Sequence, residues 1–275
     1  MSKDASTSPQ ICILLAHQRS GTHFLRSMMG NAAGVAALGE ICNPDRANQR
    51  AGFSFLTFRA DASMADQRFF YPTTEVQTEL LDNYMAFLCR AFAPARHIIL
   101  DVKYSHIYVF QPCWWSIISR PFFLHYAIER GIKFIHLVRE KPYHTAISNL
   151  YALNSKKWQV RSGEELPSAK ITVDRAALQD RAVNIAKSVS LCSEWLIGAD
   201  QIRMSYEALV CQPAETLRNL RDFLGLKVDI PPRSEFIRMT PRYEEAIANF
   251  GEIADLLDLD LTTVLDRTPT LQPLT

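Results

Sequence analysis

Short, continuous apolar runs alternate with stretches of helical periodicity along this chain. The runs are typical of strands that are buried on both faces, and they lie at 11–16, 97–103, 132–138 and 201–205. Apolar residues between the runs recur at helical spacing, which predicts helices at about 74–92, 142–153, 174–197 and 213–224. The alternation predicts an α/β fold, a three-layer domain with a mainly parallel central sheet flanked by helices. From Pro231 this rhythm is lost, and we expect short helices there.

The carboxyl ends of the predicted strands are the part of such a sheet that binds ligands. The first strand leads through a glycine-containing turn at 17–23 into a helix. Two later strand ends add Lys103, with His106 shortly after it, and Arg139. We therefore expect the chemistry of the protein at these three places.

Composition is that of an ordinary globular protein, with 275 residues of which 48% are hydrophobic and 21% charged. We expect one domain over 1–275, with 1–10 flexible, because no long linker divides the chain. The formal net charge is only +1, so the chain lacks the bulk positive field that holds nucleic acids. Any anion that the protein binds must be captured at a local site.

Six cysteines are scattered along the chain without a CxxC pair, which predicts neither a zinc site nor a disulfide framework. Core thiols in a reducing compartment are the simplest interpretation. The first apolar run is too short for a signal peptide, and the sequence has no stretch as long as a membrane span requires. We expect a soluble, cytoplasmic protein.

The turn after the first predicted strand carries the residues of an anion site. Backbone N–H groups at the start of the following helix favour an anion, Gly21 permits close approach of a ligand, and Arg19 adds charge. The hydroxyls of Ser20 and Thr22 can donate as well. The turn is not a Walker A motif, because that motif needs a second glycine and a lysine. A simple helix cap is the alternative interpretation.

A second basic site is predicted at Arg139, which ends a strand and precedes a helix that carries Ser148. A guanidinium and a hydroxyl in this arrangement can bind a phosphate. The alternative is a surface ion pair of Arg139 with Glu140 or Glu207. Two basic sites at two strand ends favour a ligand with two separated phosphates.

These residues together resemble the sulfotransferases that use 3′-phosphoadenosine-5′-phosphosulfate (PAPS) as donor. Their 5′-phosphosulfate loop is matched by Gln-Arg-Ser-Gly-Thr-His-Phe-Leu at 18–25, and their 3′-phosphate signature by Arg139 and Ser148. A third element is matched by Tyr-Glu-Ala-Leu at 206–209 and Phe-Leu-Gly-Leu at 223–226. The elements occur in family order, and the resemblance implies a P-loop-like fold.

Within that family, the chain is most similar to the bacterial carbohydrate branch of trehalose and Nod-factor sulfotransferases. That branch has a Gly-Glu pair, here Gly39 and Glu40, and a tryptophan after the helix, here Trp158. His23 departs from the family pattern, in which many members carry Ser or Thr at this position. The imidazole can donate to a phosphate in place of the hydroxyl.

The resemblance also implies roles. Glu40 is the first candidate for the general base and His106 the second, while Arg19 stabilises the leaving 5′-phosphate and Lys103 contacts the sulfuryl oxygens or the acceptor. The implied donor-binding residues are Arg19, Ser20, Gly21, Thr22, His23, Phe24, Arg139, Ser148 and Tyr206. The chemistry needs no metal, and the sequence has no ligand cluster for one.

The predicted activity is that of a PAPS-dependent enzyme of EC 2.8.2 type acting on a carbohydrate or glycolipid, with other small hydroxyl compounds and a homodimer left open. Two alternatives are an inactive nucleotide-binding protein and a P-loop-like kinase, although the Walker lysine of a kinase is absent. Aromatic residues are dense at 104–118, and Tyr104 or Trp115 is the candidate from this segment for an acceptor pocket. Segments 53–58 and 69–71 are candidates for a lid.

Overall fold

A five-stranded parallel sheet forms the centre of the protein, whose computed structural model describes residues 8–44 and 52–266. Its strands are β1 (Gln10–Ala16), β2 (Val35–Glu40), β3 (His97–Lys103), β4 (Lys133–Val138) and, after the short β5 (Val160–Arg161), β6 (Gln201–Ser205). They lie in the order β2-β3-β1-β4-β6. A separate two-stranded antiparallel sheet pairs β5 with β7 (Phe236–Ile237).

Helices cover both faces of the large sheet. They are α1 (Thr22–Gly30), α2 (Phe55–Ala65), α3 (Thr74–Ala91), α4 (Phe122–Glu129), α5 (Pro142–Ser155), α6 (Arg175–Trp195), α7 (Tyr206–Cys211), α8 (Pro213–Leu224), α9 (Tyr243–Ala246) and α10 (Leu261–Asp266). Single 3₁₀ segments lie at Gln67–Phe70, Tyr104–Phe110, Phe250–Glu252 and Ala254–Leu256. Within the described ranges, no helix is long and apolar enough to cross a membrane.

Alternating side chains of β1 create two hydrophobic cores. Cys12 and Leu14 pack with Leu25 of α1 on one face of the sheet, and this core also takes in α8. Ile13 and Leu15 point to the other face, into a larger core that α3, α4, α5 and α6 share. Because both faces of the strand are covered, β1 is apolar along nearly its whole length, which produces the continuous run seen in the sequence. The predicted three-layer fold is confirmed.

The register of the sheet brings three strand ends to one edge. Ala16, the last residue of β1, lies opposite Lys103 of β3 and Leu137 of β4. On the outer side of β3, Glu40 of β2 pairs with Asp101 across an irregularity in the strand. The turn after β1, the end of β3 and Arg139 after β4 are therefore neighbours in space.

The lid predicted at 53–58 and 69–71 is wrong for Ser54, Phe55 and Phe69, which are buried, and none of the nine residues lines the large cavity described below. Ser54 caps α2 by accepting from the Thr57 N–H, and Phe55 is fully buried against Tyr84 and Phe110. Phe69 is also buried. These aromatic side chains are anchored in the core, so they are not available to open and close over a site.

Other sequence expectations need smaller adjustments. Gln10 already belongs to β1, while 1–7 of the segment expected to be flexible lie outside the described residues. Trp115 packs against Phe122 and donates to the Arg120 carbonyl. It therefore stabilises the fold, and it lines neither of the cavities found in the described residues. The end of the chain contains the short helices that were expected, but also β7, whose two residues carry no periodic signal.

Candidate functional site

The turn between β1 and α1 presents the first backbone N–H groups of α1 at the carboxyl edge of the sheet. Arg19 has φ 67° and Gly21 has φ 90°, so the backbone passes through the left-handed region twice. Gly21 is the N-cap of α1 and provides no side-chain acceptor for the first N–H groups of that helix. The helix dipole and these N–H groups favour an anion at this turn.

Tyr206, at the start of α7, lies directly against this turn. A Cβ atom on Gly21 would lie 2.4 Å from Tyr206 Cδ2, which is closer than carbon atoms can approach. The same ring stacks under the Arg139 guanidinium, with 4.9 Å between the Arg139 Cζ and the ring centroid. Tyr206 thus links the two predicted phosphate positions.

Arg19, Arg139 and Ser148 form one cluster. Arg19 Nε donates to Ser148 Oγ at 3.2 Å, and Arg19 Nη1 donates to the Trp158 carbonyl. Arg139 Nη1 in turn donates to the Arg19 carbonyl at 3.3 Å. The two arginines, predicted for separate phosphates, therefore lie side by side, with the hydroxyl predicted for the 3′-phosphate bound to Arg19.

The positive charge of this cluster is not neutralised within the described residues. Neither guanidinium forms an ion pair with a described carboxylate, and Arg139 Nε is buried without an acceptor. Burial, reinforced by the neighbouring charge of Arg139, lowers the pKa of Arg19 to about 10. An anion bound here would supply the missing acceptors and relieve this repulsion.

A second cluster surrounds the carboxylate of Glu40. Lys103 Nζ lies 3.5 Å from Glu40 Oε1, 2.5 Å from Asp101 Oδ1 and 2.6 Å from Thr22 Oγ1. Burial raises the pKa of Asp101, but Lys103 and Arg26 outweigh it and hold the pKa below its ordinary value. A buried lysine with two carboxylate neighbours is thereby fixed at the end of β3.

His23 links Glu40 to Arg26 on the next turn of α1. Arg26 Nη2 lies 3.0 Å from His23 Nδ1, and because a guanidinium only donates, Nδ1 is the accepting nitrogen. The proton of the neutral ring therefore sits on Nε2, which lies 3.9 Å from Glu40 Oε1. Burial and the charge of Arg26 lower the pKa of His23 to about 4, so the imidazole is neutral near pH 7. It can donate one hydrogen bond, as the missing hydroxyl would.

His106 lies in the 3₁₀ segment after β3, half-buried, with its Nδ1 buried and unpartnered. Burial lowers its pKa, while the charge of Glu40 opposes and that of Lys103 reinforces this shift. The imidazole is therefore within electrostatic range of the Glu40 cluster. It does not line the cavity that contains Glu40.

A cavity of about 930 Å³ joins the two clusters. Its lining includes Arg19, Gly21, Thr22, His23, Phe24, Glu40, Lys103, Arg139, Ser148 and Tyr206. Ser20 is buried in the turn but does not line the cavity. The volume is in the range of small-molecule sites. Most of the residues predicted from the sequence thus share one space.

The cavity also contains residues that sequence reasoning missed. Lys156, Lys157 and Arg238 line it, and with the three predicted cations they make six basic side chains against the single carboxylate of Glu40. Lys156 and Lys157 directly precede Trp158, the residue that the family resemblance singled out. Arg238 follows β7, and only the pairing of β5 with β7 brings it to the site. The pair of lysines after α5 was the one sequence signal that could have added basic residues to the predicted site.

Comparison with known proteins identifies the family of the chain. The sequence model described as the sulfotransferase family matches residues 10–230. No curated protein sequence matches the chain significantly.

Similar solved structures include a sulfotransferase domain from the curacin biosynthetic pathway, with 19% identity, 86% of this chain and 82% of the other covered, and a TM-score of 0.46. The sulfotransferase domain of the Synechococcus PCC 7002 olefin synthase has 20% identity and a TM-score of 0.44, with 100% of this chain and 93% of the other covered. Mouse sulfotransferase SULT7A1, complexed with PAP, has 16% identity and a TM-score of 0.45, with 80% of this chain and 60% of the mouse protein covered. Because the family model spans most of the sequence, the chain belongs to the sulfotransferase family.

Proposed function

We propose that this protein transfers a sulfuryl group from PAPS to a hydroxyl group of a small acceptor, leaving 3′-phosphoadenosine-5′-phosphate (PAP). The observation that supports this most is the pair Arg19 and Arg139, which lie together without carboxylate partners among the described residues. Such a site needs an anion, and a donor with phosphates at both ends of a nucleoside matches a cavity with six basic side chains. The bacterial carbohydrate branch and a carbohydrate or glycolipid acceptor stay predictions from the resemblance.

Glu40 is the proposed general base. Its carboxylate borders the cavity and is held by Lys103 on Oε1 and by Asn43 Nδ2, 3.3 Å from Oε2. During transfer the acceptor oxygen forms a bond to sulfur, the bond from sulfur to the 5′-phosphate oxygen breaks, and Glu40 takes the hydroxyl proton. His106, which lies outside this cavity, is the second choice for the same role.

Arg19 and the N-terminus of α1 are proposed to stabilise the leaving phosphate. Negative charge grows on the bridging oxygen as the bond to sulfur breaks, and fixed donors at that point lower the barrier. Lys103 lies between Glu40 and Thr22, where it can compensate charge on the sulfuryl oxygens. The donor-binding roles of Gly21, Ser20, Phe24, Ser148 and Tyr206 belong to the same proposal.

Calorimetric titration with PAP tests donor binding. We expect Arg139→Ala to weaken binding at least about tenfold, because it removes a charge-assisted contact. Arg218→Ala is the matched control, since Arg218 is exposed on α8 and does not line the cavity. Equal affinity in the two variants, or no binding of PAP to the native protein, would refute the donor site.

Turnover of radiolabelled PAPS over a panel of hydroxyl compounds, trehalose included, tests the reaction itself. Glu40→Ala should reduce the rate by about 10² to 10⁴ while PAP binding stays nearly normal. Arg19→Ala should lose both turnover and affinity. If Glu40→Ala keeps most of its rate, the base is another group and His106→Ala becomes the informative variant. A protein that binds PAP and transfers nothing to any acceptor is the inactive binder.

A further inference from the structure

Arg26 of α1 is a cation that the proposed function leaves without a role. Its side chain is 15% exposed and does not line the large cavity. Nη1 donates to the Leu38 carbonyl at 3.3 Å and lies 3.6 Å from Asp101 Oδ2, while Nη2 lies 3.0 Å from His23 Nδ1. The guanidinium therefore connects α1 with β2 and β3, and it contacts the cavity only through its neighbours.

Gly39, which directly precedes Glu40, leaves room for this guanidinium. A Cβ atom at this position would lie 3.1 Å from Arg26 Nη1 and 3.5 Å from Phe53 Cζ. The first distance is tighter than an ordinary contact, and Arg26 cannot withdraw without losing the hydrogen bonds just described. The φ angle of Gly39 is not in the left-handed region, so a side chain here would disturb the close approach of Arg26 and not the backbone.

The contact with Arg26 decides where the His23 proton points. Because Nδ1 accepts from the guanidinium, the single proton of the neutral ring is on Nε2, 3.9 Å from Glu40 Oε1. The ring of Phe236 packs edge to face against the imidazole, with 5.6 Å between the ring centroids, and limits its rotation. A distance of 3.9 Å is longer than a hydrogen bond, and a small rotation of the Glu40 side chain closes it.

The two carboxylate oxygens of Glu40 thereby become different. Oε1 faces two donors, His23 Nε2 and Lys103 Nζ, the latter at 3.5 Å. Oε2 has one donor among the described residues, Asn43 Nδ2 at 3.3 Å. Each oxygen of a carboxylate can accept two hydrogen bonds, so Oε2 keeps one accepting position and Oε1 keeps none.

We infer that Arg26 and His23 position the proposed base: Arg26 fixes the His23 tautomer, His23 directs its Nε2 proton to Glu40 Oε1, and Oε2 takes the proton of the acceptor hydroxyl. The inference rests on the proposed function. It differs from the resemblance, which gives the residue at position 23 a contact with the 5′-phosphate. During transfer the hydroxyl proton moves to Oε2 as the oxygen–sulfur bond forms, and neither Arg26 nor His23 gains or loses a proton.

Long-range ¹H–¹⁵N NMR spectra of the histidine rings test the tautomer in the protein without ligands. The His23 signals are identified by their loss in His23→Phe. We expect a proton on Nε2 of the native ring at pH 7. In Arg26→Met the two ring ¹⁵N shifts should move toward each other, because the form with the proton on Nδ1 becomes populated. If Arg26→Met does not fold, Gly39→Ala displaces the same guanidinium and should move the shifts in the same direction. A proton on Nδ1 of the native ring, or shifts that stay unchanged in these variants, would overturn the inference.

Turnover of PAPS tests the effect on the reaction. Gly39→Ala should lower kcat about ten- to a hundredfold, because a displaced base is poorly aligned, while the KM for PAPS and the affinity for PAP change less than about twofold. Gly30→Ala is the matched control: Gly30 also faces β2, but its Cβ would lie an ordinary 3.8 Å from Ala37 Cβ. His23→Phe keeps the ring contact with Phe236 and should show the same loss of kcat. Equal kcat in the two glycine variants would overturn the inference, and so would a His23→Phe variant that loses PAP affinity but keeps kcat.

The two measurements separate this inference from the proposed function. Arg26→Lys should recover part of the kcat that Arg26→Met loses, because an ammonium group can also donate to Nδ1; the absence of any recovery would contradict the role of Arg26 as a donor. A tautomer that depends on Arg26 without any loss of kcat would overturn the positioning role and leave the proposed function in place. A native protein that transfers nothing would refute the proposed function, and with it the role of Glu40 as a base, whatever the tautomer.

Discussion

Gly21 is constrained both by its backbone angle and by a neighbouring side chain, and a comparison with Gly163 separates these two effects. Both residues have nearly the same backbone angle, φ +90° and φ +91°, but only Gly21 has a neighbour in the place of a Cβ atom. Gly163→Ala should therefore cost about 1 kcal/mol of unfolding free energy through backbone strain alone. Gly21→Ala should cost more and should also abolish PAP binding, because the Tyr206 ring must move away from the turn and from Arg139.

Chemical denaturation of the two variants, together with PAP titration, measures both effects. The Gly163 variant serves as the control for strain and should bind PAP normally. Equal loss of stability in the two variants would show that the contact with Tyr206 is unimportant, and normal PAP binding by the Gly21 variant would remove the turn from the donor site.

At the level of single residues, the sequence was informative where a residue follows a strand. Arg19, Lys103 and Arg139 could be placed at one edge because each lies at the end of a parallel strand or in the turn that follows it. The directions of the side chains could not be predicted from the sequence. Arg19 turns to Ser148, and Lys103 contacts both Asp101 and Glu40, because distant segments pack together. Asp101 itself gave no sequence signal, since it lies within an otherwise apolar run.

The contact between β3 and α1 depends on a buried ion pair. Asp101 has no exposed surface, and its partners are Lys103 on the same strand and Arg26 of α1, whose Nη1 lies 3.6 Å from Asp101 Oδ2. Lys103 also reaches Thr22 at the start of α1. We expect Lys103→Met to lose about 3 kcal/mol of unfolding free energy, because it leaves a buried carboxylate with one partner fewer. The double variant Lys103→Met, Asp101→Leu should recover part of this loss.

Denaturant titration of Lys103→Met, Asp101→Leu and the double variant gives the coupling free energy between the two residues. Glu79→Gln is the control, because Glu79 forms an exposed pair with Arg68 and its replacement should change stability little. Independent, additive losses at Asp101 and Lys103 would contradict an energetic coupling between these two buried charges.

Elements were predictable in proportion to their length. β3 and α8, with seven and twelve residues, have long enough patterns to be read from the sequence. β5 and β7 have two residues each, too few for any period, yet their pairing carries Arg238 and Met239 to the cavity and to Arg19. α2 was missed because its aromatic residues suggested a surface lid, whereas they fill a gap between α3 and the 3₁₀ segment.

For the whole molecule, the small net charge hides a strongly uneven distribution. The formal charge is +1, but six basic side chains and one carboxylate line the large cavity. The rest of the chain therefore carries a formal excess of acidic residues that balances the charge of the cavity. A concentrated positive site in a nearly neutral protein attracts a small polyanion without binding nucleic acid in general.

Buried and half-buried imidazoles make the stability of the whole molecule sensitive to mild acid. Burial lowers the pKa of His136 to about 4, and burial together with nearby cations does the same for His144 and His23. The unfolded chain takes up these protons near pH 6.5 and the folded protein does so only near pH 4, so stability is full above pH 6.5 and falls as the pH drops through that window. His136, which is fully buried, alone should cost about 2 kcal/mol at pH 5.

Guanidinium titrations at intervals from pH 7.5 to pH 4.5 measure this decline. His136→Gln keeps an acceptor for Tyr104 and removes the titrating group, so its stability should fall less steeply with acid than that of the native protein. Asp101 does not confuse the result, because its lowered pKa places its own loss of stability below pH 4. A constant stability down to pH 4.5, or the same slope in His136→Gln, would contradict a neutral, buried His136 as a source of the acid sensitivity.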